Sequence, residues 1–360
     1  MTHAAPVSPV DRNGLRERVD KALTEFLAGQ RVRLAAVDDA LIPVAEAIEA
    51  FVLGGGKRLR PAFAYWGFRG AGGVDSDQVI TALAALEFVQ ASALIHDDLM
   101  DRSDTRRGEP AVHRRFATRH REAGWGGDPD GFGDAAAILL GDLCLVWSDE
   151  LLHSAGLDLW ALARARPVFD EMRTEVTVGQ YLDVLTQVTG DTSVQRASKV
   201  ARFKSAKYTV ERPMLLGAAL ADAPEDVRAA YSAYGLPLGE AFQLRDDVLG
   251  VFGDPALTGK PAGDDLREGK RTYLVAAAVE ATDDAGRELL LGRLGDQELD
   301  EQGVTLLREV ISGSGALART EQRITTLTDA ALTALTAVDL DTEARQALVD
   351  LAIAATRRTD

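Results

Sequence analysis

Apolar residues return every three or four positions along almost the whole chain. The pattern runs through Leu15 to Leu27, Val32 to Phe51, Val79 to Asp101, Ala135 to His153 and Pro167 to Leu185, and continues to Ile353. That period is the α-helical one. Strand-type β-branched runs are scarce, and Ala and Leu dominate the apolar set, which again favours helices. The predicted fold class is all-α, a single large bundle of about ten or more helices. Breakers collect in GGGKRLRP (54 to 61), REAGWGGDPDGFGD (121 to 134) and FGDPALTGKPAGDD (252 to 265), which predicts loops there, the last two long enough to serve a function. No composition shift marks a second domain. Residues 1–14 read as a disordered leading segment and 15–360 as one domain.

Composition then narrows the classes of function. Of 360 residues 46% are hydrophobic, enough for one large core or two ordinary ones. Forty basic against fifty-six acidic residues leave a formal charge of −16, which argues against general attraction to nucleic acid or anionic lipid. Basic clusters in such a chain need local reasons. Cys144 stands alone, so the chain can build neither a disulfide framework nor a cysteine-based zinc site, and a reducing compartment fits. MTHAAPVSPVDRNG has no signal-peptide core, and the longest apolar stretch, Val79 to Ile95, is interrupted by Glu87 and Gln90. The expectation is a soluble cytoplasmic protein without a membrane span.

One stretch breaks the economy of charge. LIHDDLMDRSDTRRG places Asp97, Asp98 and Asp101 on one helical turn and follows them with Arg106 and Arg107. Asp97 and Asp101 share a face, where like charges repel by ~0.2–0.5 kcal/mol per pair even on an exposed helix. The preceding TALAALEFVQASALI is apolar nearly all round, so the helix is predicted to be buried and the repulsion larger. A hard divalent cation resolves this conflict, because magnesium takes one or two carboxylates and completes its octahedron with water and phosphate oxygens. A second cluster repeats the logic with Asp246 and Asp247 after Phe242 and Gln243, but Gly250 stands where a third carboxylate would have come one turn on. Acidic triplets also decorate solvated helix faces. Two such acidic clusters on apolar helices, each followed by a basic loop, favour the metal reading.

The basic loops complete the constellation. GGGKRLRP sets Lys57, Arg58 and Arg60 before Pro61, a good first residue for a helix, whose free N–H groups with these cations would hold a phosphate. Arg106 and Arg107 offer guanidinium forks suited to diphosphate oxygens. Lys204, Lys260 and Lys270 are further candidates. The acidic turns would hold metal, the metal diphosphate, and the cations the other side of it.

Taken in order, GGGKRLRP, Gln90, DDLMD, RRG, FKSAKY, FQLRDD, TGKP and GDDLREGKRT resemble the motifs of the trans-isoprenyl diphosphate synthases, or polyprenyl synthetases, over roughly residues 50 to 275. The resemblance implies an all-α fold around a central active-site cavity, a homodimer, and elongation of an allylic diphosphate (dimethylallyl, geranyl or farnesyl) by isopentenyl diphosphate. It also implies a trinuclear magnesium cluster in the presence of substrate, replaceable by manganese. Carried onto matching positions, Lys57, Arg60, Gln90 and Arg107 would bind isopentenyl diphosphate. Asp97, Asp101 and Asp246 would coordinate magnesium with support from Asp98 and Asp247. Arg106, Lys204, Ser205, Gln243, Lys260 and Lys270 would hold the allylic diphosphate, and Asp97, Asp101, Lys204, Gln243 and Asp246 form the catalytic set. Ser205 replaces the family's usual threonine but keeps the hydroxyl.

Product length is expected to depend on the helix that carries the first motif. Ser92 and Ala93 lie ~6 to 7.5 Å from Asp97 along its axis and are small. Family members that stop at fifteen carbons usually place aromatic bulk there. Phe88, one turn deeper, could floor the pocket, which points to geranylgeranyl diphosphate, with farnesyl or longer polyprenyl diphosphates as alternatives. Phe88 could equally be ordinary core. A class I terpene cyclase would need a second metal motif that is absent, and a non-catalytic subunit would not be expected to keep the aspartates and basic loops. GGGKRL lacks P-loop spacing, GFGDAA follows no strand, and SGSGA is not a nucleophile elbow.

Overall fold

The computed structural model describes residues 9–254 and 263–357, and these are helical almost throughout. The all-α class is thus observed. Among the described residues the only strands are Thr105–Arg106 (β1) and Glu109–Pro110 (β2). Of the leading segment, Pro9–Gly14 forms 3-10 turns broken by a kink at Arg12 and Asn13. Contacts group the chain into two compact units. The first holds Met1–Pro167, Leu216–Ala223 and Asp341–Ala347, and the second Val168–Leu215, Pro224–Leu340 and Leu348–Asp360. The sequence carries no composition shift at that division.

The first unit is built from α1 (Leu15–Val37), α2 (Ile42–Leu53), α3 (Leu59–Gly70), α4 (Asp77–Met100), α5 (Val112–Glu122) and α6 (Pro129–Ser154). Ser76 starts α4, its hydroxyl accepting from the Val79 N–H at 3.3 Å. No Gly or Pro interrupts the helix, and it packs against α1, α3 and α6. By length and apolar composition α4 could cross a bilayer, yet most of its apolar window is buried within the protein, as in a core helix. Phe88 is fully buried in an edge-to-face cluster, 5.3 Å from the Phe26 ring of α1 and 6.2 Å from the Trp147 ring of α6.

The chain enters the second unit along α7 (Leu159–Thr189), whose Pro167 marks the division between units, and runs through α8 (Val194–Val200) into a π-helical stretch, Ala201–Glu211, while Leu216–Ala223 and Asp341–Ala347 return to the first unit. After α9 (Arg212–Leu220) follow α10 (Glu225–Phe252), α11 (Asp264–Arg267), α12 (Tyr273–Ala281), α13 (Asp284–Arg293), α14 (Glu301–Gly313) and α15 (Ala316–Ala334), and Thr342–Thr356 is the last helix. α10 is the core helix here, lying against the π-helical stretch and α15. Leu244, Val248 and Val251 of α10 join Leu266, Leu274 and Ile311 in one buried cluster. The π-helical backbone comes so close to α7 and α10 that a side chain at Gly179 would meet the backbone of Phe203 and Lys204, and one at Gly239 that of Ala206.

Candidate active site

The acidic residues of α4 gather where the helix ends. Ser103 donates its N–H to the Asp98 carbonyl at 2.9 Å and Arg102 to Leu99 at 3.3 Å, with Arg102 at φ 56, which together close the helix in a Schellman motif. Asp101 is the C-cap residue, its N–H on the Asp97 carbonyl at 2.8 Å. Asp97 and Asp101 are therefore one turn apart on one face, as their spacing predicts.

A two-residue hairpin turn brings a cation back to this end. Arg107 and Gly108 adopt φ 56 and φ 78, the pair of left-handed conformations that a type I′ turn needs, and Arg106 pairs with Glu109 across it. Arg106 Nε donates to Asp98 Oδ1 at 2.9 Å and Oδ2 at 3.2 Å, Nη2 also donates to Asp98, and Nη2 lies 3.9 Å from Asp97 Oδ2. Asp98 is only 1% exposed, so this guanidinium compensates a charge that would be expensive to bury alone. Arg107 faces elsewhere, its Nη1 3.4 Å from the Phe51 carbonyl and its guanidinium 5.9 Å from the Phe51 ring.

The glycine-rich loop divides its cations by backbone conformation. Arg58 sits at φ 49 and turns inward, donating to Asp20 at 2.8 Å, Glu87 at 2.6 Å and the Val52 carbonyl at 2.9 Å. Burial works against its charge, but Glu87 and Asp20 hold its pKa above the ordinary arginine value. The sequence grouped Arg58 with the phosphate-binding cations. In the fold it anchors the loop to α1 and α4 instead, leaving Lys57 exposed and Arg60 half-buried in the first turn of α3. Gln90 is half-buried two turns before Asp97, Ser92 is buried and Ala93 half-buried.

The acidic end of α10 is built differently. Asp246 is half-buried and Asp247 buried, with Gln243 Nε2 donating to Asp247 Oδ1 at 2.8 Å. Burial pushes the Asp247 carboxyl up to about 7, helped by the negative charge of Asp265 and opposed by the Gln243 hydrogen bond, the Tyr273 N–H and the Lys270 charge. Lys270 makes ion pairs with Asp265, at 3.5 Å, and with Glu268. On the π-helical stretch Lys204 Nζ donates to Asp183 Oδ2 of α7 at 2.7 Å, and Ser205 next to it is half-buried. Lys207 and Arg212 converge on Glu175, whose pKa is held down by these two cations against the upward effect of its burial. Lys260 lies outside the described residues.

Of the predicted residues, Arg106 stands on the acidic end of α4 and Gln243 on that of α10, Lys204 holds Asp183 and Arg107 lies against Phe51, and the two acidic ends belong to different units. The donor set fits magnesium: hard carboxylate oxygens, few per site, with positions left for water and phosphate oxygens. Among the described residues no group of three or more His, Cys, Asp or Glu forms a ready cage for a cation. Two residues escaped sequence reasoning. Arg58 could have been suspected only from its left-handed backbone. Asp265, in the GDDLREGKRT motif, has its carboxylate against Gly250, and the missing side chain at 250 was the available signal.

Known proteins resemble the chain in sequence and fold. Residues 43–311 fit the profile of the polyprenyl synthetase family. The crystal structure of geranylgeranyl pyrophosphate synthase from Corynebacterium glutamicum, complexed with isoprenyl diphosphate and magnesium, superposes with a TM-score of 0.93 at 43% identity, covering 96% of this chain and 98% of that one. The geranylfarnesyl diphosphate synthase of Aeropyrum pernix is 34% identical over 281 residues, 75% of this chain and 79% of its own. The (2E,6E)-farnesyl diphosphate synthase of Mycobacterium tuberculosis is 35% identical over 263 residues, 72% of this chain and 68% of its own. The chain belongs to the polyprenyl synthetase family and is a trans-prenyltransferase.

Proposed function

We propose that the chain condenses isopentenyl diphosphate with an allylic diphosphate in a magnesium-dependent reaction and releases geranylgeranyl diphosphate. The observation that carries this reading is the pair of acidic helix ends, each with basic side chains beside it, in a chain similar over nearly its whole length to a synthase crystallised with isoprenyl diphosphate and magnesium. Asp97, Asp101 and Asp246 coordinate the metal, with Asp98 and Asp247 supporting them. Lys57, Arg60, Gln90 and Arg107 bind isopentenyl diphosphate. Arg106, Lys204, Ser205, Gln243, Lys260 and Lys270 bind the allylic diphosphate.

Bound magnesium supplies a Lewis acid that neutralises charge on the departing diphosphate. The chain's cations act on the same oxygens and are held in place before substrate arrives, so little reorganisation is needed as charge develops. Arg106 and Lys204 already sit on Asp98 and Asp183. An arginine carries five N–H donors and a lysine three, which leaves capacity for phosphate oxygens while the carboxylates fix the side chains. The isopentenyl double bond attacks the allylic carbon as that carbon's bond to the diphosphate oxygen breaks, and the departed diphosphate takes the proton that the condensed cation loses, as the family resemblance implies. Apolar walls beside α4 keep water from the cation.

The tail runs along α4 past Ala93 and Ser92 towards Phe88. The Phe26 and Trp147 rings against Phe88 support its reading as a rigid floor and favour the twenty-carbon product. Relatives named for shorter and longer products keep farnesyl and longer diphosphates as the second reading. A second copy covers α6, where Phe132, Leu139 and Val146 recur every seven residues beside Ile138, all of them exposed. We place the protein in the cytoplasm and treat 15–360 as one synthase domain. Incubating the purified chain with an allylic diphosphate, alone and with isopentenyl diphosphate, tests the reaction. Elongation only when both are present is expected. Hydrocarbon from the allylic diphosphate alone would mean a cyclase, and no turnover a non-catalytic subunit.

A further inference from the structure

One ridge of α7 grips the π-helical stretch. Glu175, Gly179 and Asp183 follow one another at intervals of four residues and so share a face of that helix. In the middle of the ridge Gly179 admits backbone, since a Cβ there would overlap the Lys204 nitrogen and the Phe203 carbonyl carbon. At its ends the two carboxylates take the two lysines of the stretch. Asp183 Oδ2 accepts from Lys204 Nζ at 2.7 Å, while Glu175 accepts from Lys207 Nζ and, at 2.6 Å, from Arg212 Nε. The Asp183 side chain is 13% exposed and that of Glu175 12%, so solvent screens neither pair strongly. α10 closes on the stretch as well, where a side chain at Gly235 would meet the Glu211 Cα and one at Gly239 the Ala206 carbonyl oxygen. Eleven residues of π-helix are unusual, because i→i+5 bonding mostly occurs as single turns within α-helices, often at functional sites. Here the register is imposed from outside, by glycine notches for backbone and carboxylates for cations.

We infer that Glu175, Gly179 and Asp183 are positioning residues that keep the π-helical register and thereby set Lys204 and Ser205 for the allylic diphosphate. None of the three has to touch substrate. Gly179 fixes how near the Lys204 backbone comes to α7, Asp183 the direction of the Lys204 side chain, and Glu175 the end of the stretch beyond it. The inference rests on the reading of Lys204 and Ser205 as allylic diphosphate ligands.

The test is steady-state elongation of farnesyl diphosphate by isopentenyl diphosphate with magnesium, varying each substrate in turn and recording thermal unfolding for every variant. Gly179→Ala and Asp183→Asn should each raise KM for farnesyl diphosphate by about tenfold or more and Glu175→Gln by about threefold or more, the scale of a small misplacement. KM for isopentenyl diphosphate should stay within about threefold, a split that general loosening of the fold would not produce. Adding Asp183→Asn to Lys204→Met should cost less than about threefold beyond Lys204→Met alone, because the side chain that Asp183 directs is gone. Should Gly179→Ala fail to fold, Asp183→Asn, Glu175→Gln and the double variant decide. Two KM values that rise together, an unchanged farnesyl KM in folded Asp183→Asn or Glu175→Gln, or additive losses in the double variant overturn the inference. Unchanged kinetics in Lys204→Met, or no elongation by the wild type, would instead overturn the proposed function, so the failures are distinct.

Discussion

The ends of α4 and α10 solve one electrostatic problem in two ways. At α4 three aspartates lie within five consecutive residues, and a hairpin with a left-handed Arg107–Gly108 turn returns Arg106 to neutralise the buried Asp98. At the end of α10 only two aspartates lie on the helix. The buried one, Asp247, has an amide partner in Gln243 and holds its proton up to about 7. A buried carboxylate can be kept charged by a guanidinium or kept neutral by burial, and the sequence motif alone does not say which. The pattern DD followed by a residue one turn on is therefore a statement about where oxygens are placed, while charge state is set by what the rest of the unit brings to them.

Substitutions at the two ends should separate these solutions, and the largest effect is expected on turnover. Asp97→Ala or Asp101→Ala should lower kcat by about three orders of magnitude, the scale lost with a preorganised electrostatic group, while circular dichroism shows an intact fold. Near-normal synthesis by either variant would refute the metal assignment. Stability should respond next. Asp98→Ala removes the buried partner of Arg106, which keeps Asp97 at 3.9 Å, and should destabilise by about 1.5–3 kcal/mol in denaturant unfolding, the scale of hydrogen bonds to a charged group. Asp247→Asn should cost far less, because an amide replaces a group that burial already favours as neutral.

The same contrast appears in pH dependence. The ordinary aspartate value is 3.8, and Asp247 in the folded, metal-free protein sits at about 7. In that window the folded state holds a proton that the unfolded state has released, so stability falls as pH rises from 3.8 towards 7 and is level above it. Unfolding of the metal-free wild type and of Asp247→Asn across this range should give profiles that differ by one proton in slope. Parallel profiles would show that Asp247 titrates as an ordinary carboxyl. The smallest effect is one of specificity. Ser92→Phe should shift the product towards fewer carbons with modest change in total turnover, and an unaltered product distribution would mean that the tail does not pass Ser92.

Much of this was legible in the chain. The apolar period located α4, and the spacing of Asp97 and Asp101 places them on one face from the letters alone. Arg106 was expected near the aspartates and is there, although the sequence did not indicate that Asp98 would take its guanidinium. What could not be read was backbone handedness and long-range return. Arg58 turns inward because its φ is positive, a choice invisible in the letters KRLR. Asp265 lies against Gly250 only because α11 folds back onto α10 through Leu266, a tertiary contact with no local signature. The division of the chain at Pro167 likewise follows from packing, since a proline inside a helix does not by itself end it.

The most direct test of the account is a crystal structure of the full chain grown with magnesium and a thio-linked, non-reactive allylic diphosphate. The account predicts metal ions bound to Asp97 and Asp101 and to Asp246, with the diphosphate oxygens on those ions and on Arg106 and Lys204. Diphosphate bound elsewhere, with both acidic helix ends free of metal, would contradict it.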